Sequence, residues 1–323
     1  MRTTFWNEIA ANKRSSAFLS FLMTLLLAGV GAAGTYLIDP ELWPFGAAIA
    51  FLIGVILWVY TATSGHKAVL AISRARQATH EENQVVVNVA HEMAIAAGIP
   101  MPEVHVIEDS APNAFATGMG PQSGVICVTT GLLQKLNRDE LQGVVAHEMG
   151  HIRNYDIRLM TTMALTVGVI VLLRDFFVRI NWHGGGRRRG KDGGQAIVMV
   201  IALVFIILAP IFAMLLNMAI SRKREFLADA TAAQLTRYPD ALADALEKIS
   251  TDPEELEAAN NATAPMYIIN PVAKLRSHER SNLFSTHPAT AERVRRLRQM
   301  GMGPIAPRAP APMPEIPMQR LDD

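Results

Sequence analysis

Cysteine is all but missing. Cys127 is the single one in 323 residues, which excludes an intrachain disulfide and any finger-type cluster of zinc-binding thiolates. It falls in the apolar run Gly124–Val128, where a buried strand position is the expectation. Charge is scarce as well. Charged residues make up 18% of the chain, where a soluble domain carries about a quarter. The 30 basic residues nearly balance 29 acidic ones, for a formal net charge of +1. That balance argues against a polyanion-binding protein, so no nucleic-acid partner is expected. Hydrophobic residues, by contrast, reach 50% and mean hydropathy is +0.20, which leans toward a membrane.

Long apolar runs are what the chain has instead. The first, residues 16–38, follows Arg2, Lys13 and Arg14. A signal peptide also starts basic, but its apolar region is only about 7–15 residues; this run is long enough to cross about 30 Å of hydrocarbon. The turn Asp39-Pro40-Glu41 leads to a second run, Trp43 to Thr63, and the two read as a transmembrane hairpin. Lys13 and Arg14 precede it, Lys67, Arg74 and Arg76 follow it, and its turn is acidic. Positive-inside bias then places the N-terminus and the chain after residue 64 in the cytosol. Two further runs, Leu159 to Leu173 and Ala196 to Ile220, flank a basic glycine-rich loop, 182–191. If both cross, that loop faces outward against the positive-inside rule, and the first run is short, ending at Arg174 and Asp175. Two spans is the reading taken; helices that dip in and return, or pack on a soluble domain, are the alternative.

The resulting map has an anchor over 1–63, the first part of a catalytic domain over 64–158, a second hydrophobic hairpin over 159–220, the rest of the domain over 221–300, and a proline-rich, disordered tail over 301–323.

Between the hairpins stands His147-Glu148-Met149-Gly150-His151. Asn137 and Glu140 predict a capping box opening a helix, on which positions i and i+4 share a face. His147 and His151 then project together and can hold one metal ion, while Glu148, about 100° around the helix, stands beside it. A carboxylate there can take a proton from an activated water and pass it on to a leaving amine. His91-Glu92 and His278-Glu279 begin similarly but have Ile95 and Asn282 where a second His is needed. A catalytic zinc wants a third protein ligand and an open fourth position. Glu225 and Asp229, again at i and i+4, supply a carboxylate ligand and a second acid to orient a ligand imidazole through its ring N–H. The plainer alternative pairs both acids with Arg222 and Arg224 along the helix. The β-like runs 104–107, 113–118 and 125–129 suggest a small sheet beside the helices.

On these features the chain resembles the HtpX-type membrane metallopeptidases, relatives of the CAAX prenyl endopeptidases. The resemblance covers most of the chain: both N-terminal spans, Ala146 to His151, Asn154 and Asp156, the later apolar runs, Glu225 to Asp229, and Ser285-Thr286-His287-Pro288 with Glu292 and Arg293. It implies an α+β fold, mainly α: a zincin-like catalytic domain with a small β-sheet, plus two transmembrane helical hairpins. It further implies one Zn2+ per subunit held by His147, His151 and Glu225, with Glu148 as catalytic base and Asp229 behind a ligand. His287 and Arg293 are expected to help stabilise the oxyanion, though His287-Pro288 could instead cap a basic helix. Asn113, Ala114 and Phe115 are expected on a strand edge that binds substrate, with a plain core strand as the alternative for Phe115. The implied function is quality-control cleavage, under stress, of unfolded or misfolded membrane proteins. The implied address is the bacterial inner membrane, multi-pass, with the site on the cytoplasmic side and other membrane quality-control proteases as possible company. Rival readings are a CAAX-type endopeptidase, for which four spans are few, and a catalytically idle zinc scaffold, which has no need of Glu148.

Overall fold

The computed structural model of the chain describes residues 5–183, 193–259, 263–271 and 288–301. Its first two helices, α1 (Phe5–Ile38) and α2 (Trp43–Ile72), form the expected hairpin. Asp39 makes the turn: its Oδ1 accepts from the Glu41 N–H at 3.0 Å and its carbonyl from Leu42 at 3.0 Å. The helices touch backbone to backbone at Gly31 and Gly46, where a Cβ on either residue would stand 2.5 Å from the other's carbonyl oxygen. Close approach of this kind is how helices associate where lipid removes the hydrophobic drive. Phe18, Phe21, Phe45, Ile49, Leu52 and Ile56 stay exposed on the outside of the pair.

Among the described residues, Ser16–Ile38, Trp43–Ile72 and Asp156–Arg179 are long and apolar enough to cross a membrane, and Val200–Ala209 is a shorter apolar stretch. The third run is longer than expected. Helix α6 (Asp156–His183) passes through Arg174 and Asp175, which pair with each other at 3.0 Å on the outer surface and so need no helix break. Helix α7 (Gly193–Thr236) is one 44-residue element. It contains Pro210 and carries both the fourth apolar run and Glu225-to-Asp229. Leu19, Met23, Leu27, Met163, Val167 and Ile206 make a core among α1, α6 and α7.

The rest of the chain builds a four-stranded sheet and its helices. Strands β1 (Arg76–Gln77), β2 (Glu103–Ile107), β3 (Ala114–Thr117) and β4 (Val125–Thr129) lie in the order β1-β2-β4-β3. The central β2/β4 pair is parallel, and β1 and β3 join antiparallel. β4 is buried at every residue, Cys127 included, as befits a near-continuous Val/Ile run covered on both faces. Helices α3 (Gln84–Ala97), α4 (Thr130–Lys135), α5 (Arg138–Arg153), α8 (Pro239–Thr251) and α9 (Thr290–Gly301) complete the unit. The expected capping box opens α5, with Asn137 and Glu140 bonded reciprocally at 2.9 Å. Leu141, Val144, Val145, Met149 and Ile152 sink one side of α5 into the main core with Val104, Ile126, Leu242 and Leu246.

Sheet and membrane helices are not separate bodies. Val69 and Leu70 of α2, Phe115 and Cys127 of the sheet, and Ala164 and Leu165 of α6 share one further core. At the end of β3, the Thr161 hydroxyl of α6 meets the Thr117 hydroxyl at 2.9 Å and accepts from the Gly118 N–H at 3.1 Å.

Candidate metal centre

Helix α5 delivers His147, Glu148 and His151, all at most 3% exposed. Beyond Ile152 the chain turns at Asn154 and Tyr155, the latter at φ +61°, and Asp156 opens α6. Helix α7 crosses α5 at Gly150, where a Cβ would stand 3.2 Å from the Ala228 Cα. That closeness brings Glu225 and Asp229 to the two imidazoles.

His147 Nε2 and His151 Nε2 face each other at 3.2 Å. Glu225 Oε1 lies 3.5 Å from His151 Nε2, and Oε2 lies 3.7 Å from His147 Nε2. His147, His151 and Glu225 offer ligand atoms that all lie within 4.8 Å of one another, and they are the one such group among the described residues. With each Nδ1 turned to a carboxylate, both Nε2 atoms are aimed at the same point, where one cation can be shared between them. With zinc bonds of about 2.0–2.1 Å, the edges of a ligand tetrahedron are about 3.3 Å; the observed triangle, with two nitrogens and a carboxylate, fits that donor set.

Each imidazole is held from behind. His147 Nδ1 lies 3.0 Å from Asp229 Oδ1, and His151 Nδ1 lies 3.2 Å from Asp156 Oδ2. Arg293, fully buried on α9, grips Asp229 with Nε at 2.9 Å and Nη2 at 2.7 Å. Its Nη1 donates to the Ile268 carbonyl at 3.0 Å and stands 3.4 Å from Glu225 Oε2.

The charges follow from this geometry. Burial brings His147 down to about 4, against the pull of Asp229 and with help from Arg293 and His151. For His151 burial acts downward too, but Asp156, Glu225 and Glu148 outweigh it and raise the ring to about 9. Burial lifts Glu148 to about 7, reinforced by Glu225 and opposed by His151, Arg293 and a hydrogen bond from the Ala116 backbone. Burial acts upward on Asp229, yet Arg293 and His147 hold it at about 2.

A family model described as "Peptidase family M48" matches residues 80–301. The chain belongs to peptidase family M48. Similar relatives include a "Protease HtpX homolog" of Dictyoglomus thermophilum, 47% identical over 299 residues, 92% of this chain and 95% of that one. Another, of Thermoanaerobacter pseudethanolicus, is 42% identical over 305 residues, 93% and 99% respectively. Among solved structures, S. mikatae Ste24p is similar at 20% identity and a TM-score of 0.42, over 81% of this chain and 65% of that one. The M48 chain is thus an HtpX-type membrane metallopeptidase acting on protein substrates.

Around the M48 site the structure adds contacts that the sequence does not announce. Arg293 reaches the centre: besides holding Asp229 and the Ile268 carbonyl, its Nη2 stands 3.4 Å from the ring nitrogens of His147. Arg224 does not pair along its own helix; it turns to Asp156. His287 lies outside the described residues. β3 is an edge strand, as expected, yet part of that edge is taken: the Ala114 carbonyl accepts from Ile268 N–H at 2.8 Å, and the Asn113 amide brackets Ile269. Phe115 is fully buried, edge-on to Tyr267 with ring centroids 4.9 Å apart. Sequence reasoning placed Asp156 in the motif without giving it a task. Its signal was an acid five residues past the second His, at the start of the next helix.

Proposed function

We propose that His147, His151 and Glu225 hold one zinc ion and that Glu148 is the general base for hydrolysis of internal peptide bonds in misfolded or damaged membrane proteins. The observation that carries this reading is the buried triangle of two imidazoles and a carboxylate with Glu148 beside it. Zinc bound there would supply Lewis acidity, polarising a peptide carbonyl and bringing a water's pKa toward about 7. The chain's residues do the remainder. Glu148, held up near 7 by burial, is matched to accept a proton from the attacking water and return it to the leaving amine. The Ala116 N–H orients that carboxylate. Asp229 and Asp156 fix the imidazoles so that each turns Nε2 inward. Arg293 acts through Asp229 and Glu225, as a positioning residue.

A peptide can add to the β3 edge past Ala114, using backbone hydrogen bonds; Asn113 and Phe115 support that edge from within. Basic Lys13, Arg14, Lys67, Arg74 and Arg76 around the first hairpin favour a cytoplasmic site at a bacterial inner membrane. The test is Glu148→Gln in full-length protein reconstituted in vesicles with a misfolded membrane protein as substrate. Zinc content should stay at one per chain while cleavage falls at least about a hundredfold. Undiminished cleavage would overturn the mechanism. A zinc-loaded wild type that cuts nothing would instead mark an idle scaffold.

A further inference from the structure

The centre has a repeated plan. Behind His147 stands Asp229, and behind Asp229 stands Arg293. Behind His151 stands Asp156, and behind Asp156 stands Arg224. All four supporting residues are at most 5% exposed. The two limbs differ in grip. Arg293 holds Asp229 by two charge-assisted hydrogen bonds of 2.7 and 2.9 Å. Arg224 Nε stands 3.6 Å from Asp156 Oδ1, an ion pair but longer than a hydrogen bond. Its Nη2 is buried without a hydrogen-bond partner among the described residues.

A buried arginine without an exact partner is costly, and one facing a buried carboxylate is not there by default. Here its position is informative. Arg224 is adjacent to Glu225 on α7, and Asp156 is the first residue of α6, so the pair ties together the two helices that lead into the later apolar runs. Asp156 Oδ2, 3.2 Å from His151 Nδ1, fixes that edge of the ring and so turns Nε2 toward Glu225 and His147.

We propose that Arg224 is a positioning residue: acting through Asp156, it fixes the ring of His151 in the orientation that presents Nε2 to the metal. The proposal rests on the zinc reading given above. It assigns Arg224 to the site and not to a surface ion pair, and it makes the α6–α7 junction part of the metal centre.

Zinc affinity of the purified full-length protein in detergent, by chelator competition, tests this. Partners behind a ligand histidine typically matter about 10–100-fold for metal affinity. Asp156→Asn and Arg224→Met should each weaken zinc binding about tenfold, and the double variant should be no weaker than Asp156→Asn alone, because both act on one ring. Arg224→Lys, which keeps the charge, should recover most of the loss. Should Arg224→Met not accumulate, Arg224→Gln carries the same expectation. A purely structural role would lower the unfolding midpoint of the zinc-free protein while leaving zinc affinity unchanged, and that result overturns the proposal. So does additivity of the two substitutions. Wild-type protein that takes up no zinc overturns the metal reading and this proposal with it; wild type that binds zinc, with Arg224→Met binding it equally well, overturns this proposal alone.

Discussion

Replacing Arg293 by Met should damage this protein more than any surface change of equal size. The side chain is fully buried, chelates Asp229 through two hydrogen bonds of 2.7 and 2.9 Å, and lies 3.4 Å from Glu225. Methionine roughly matches its apolar stem, so the loss is chiefly charge and donors. It takes the guanidinium from two buried acids and the donor from the Ile268 carbonyl. Breaking one side of such a pair costs about 3–5 kcal/mol. At about 2–4 °C per kcal/mol for a unit of this size, the unfolding midpoint should fall by roughly 6–20 °C. The second arm is Asp229→Asn combined with Arg293→Met. With the acid neutralised, the double variant should lose less than the sum of the singles by about 0.5–3 kcal/mol. Thermal unfolding of the four detergent-solubilised proteins, with and without zinc, reads both effects. A shift under about 2 °C for Arg293→Met, or strictly additive losses, would refute the idea that Arg293 neutralises the acids behind the ligands.

Three further outcomes follow from the same geometry. His151 is raised to about 9 and His147 lowered to about 4, so at pH 7 His151 is the one ligand imidazole with an extra proton to give up on metal loading. Zinc uptake should release at least about one proton, read by calorimetry in buffers of different ionisation enthalpy, and affinity should fall about tenfold per pH unit between about 9 and about 7; no release would contradict the charge assignment. Thr161→Val removes the hydroxyl that joins α6 to Thr117 and Gly118, and should cost about 1–3 kcal/mol and speed hydrogen exchange at β3; unchanged exchange there would deny the clamp. Gly46→Leu would drive a side chain into Gly31 and Thr35, and cysteine cross-linking between α1 and α2 should be lost if that contact holds the hairpin.

Much of this was legible in the sequence because the governing patterns are local. The i, i+4 spacing of His147 and His151, the same spacing of Glu225 and Asp229, and the Asn137/Glu140 box each need only one helix. The strands at 104–107 and 125–129 are marked by Val and Ile between turn residues, and 113–118 by Phe115 and Thr117 ahead of Gly118. What escaped was long-range. Nothing near Arg224 says that it will choose Asp156, 68 positions away, over its neighbours one helical turn along. Nothing at Asn113 says that Ile269 will cover it, since that bond spans 156 residues. The continuation of α6 beyond the third apolar run is likewise not visible in composition: Arg174 and Asp175 end the run, while on the helix they pair with each other and the helix goes on.

Helix α7 converts angle into distance. Pro210 lacks the N–H that would bond to residue 206, which makes it the natural joint of the rod. From there to Glu225 the helix runs 15 residues, about 22 Å at 1.5 Å per residue. A catalytic constellation tolerates about 0.5 Å of misplacement, and over that arm 0.5 Å is a swing of little more than about one degree. Whatever tilts the apolar N-terminal half of α7 is therefore felt at the carboxylate unless the C-terminal half is pinned. The crossing at Gly150 and Ala228, and Arg224 against Asp156, are where it is pinned. The precision of the centre is thus decided at a helix crossing, by residues that are not themselves ligands or base.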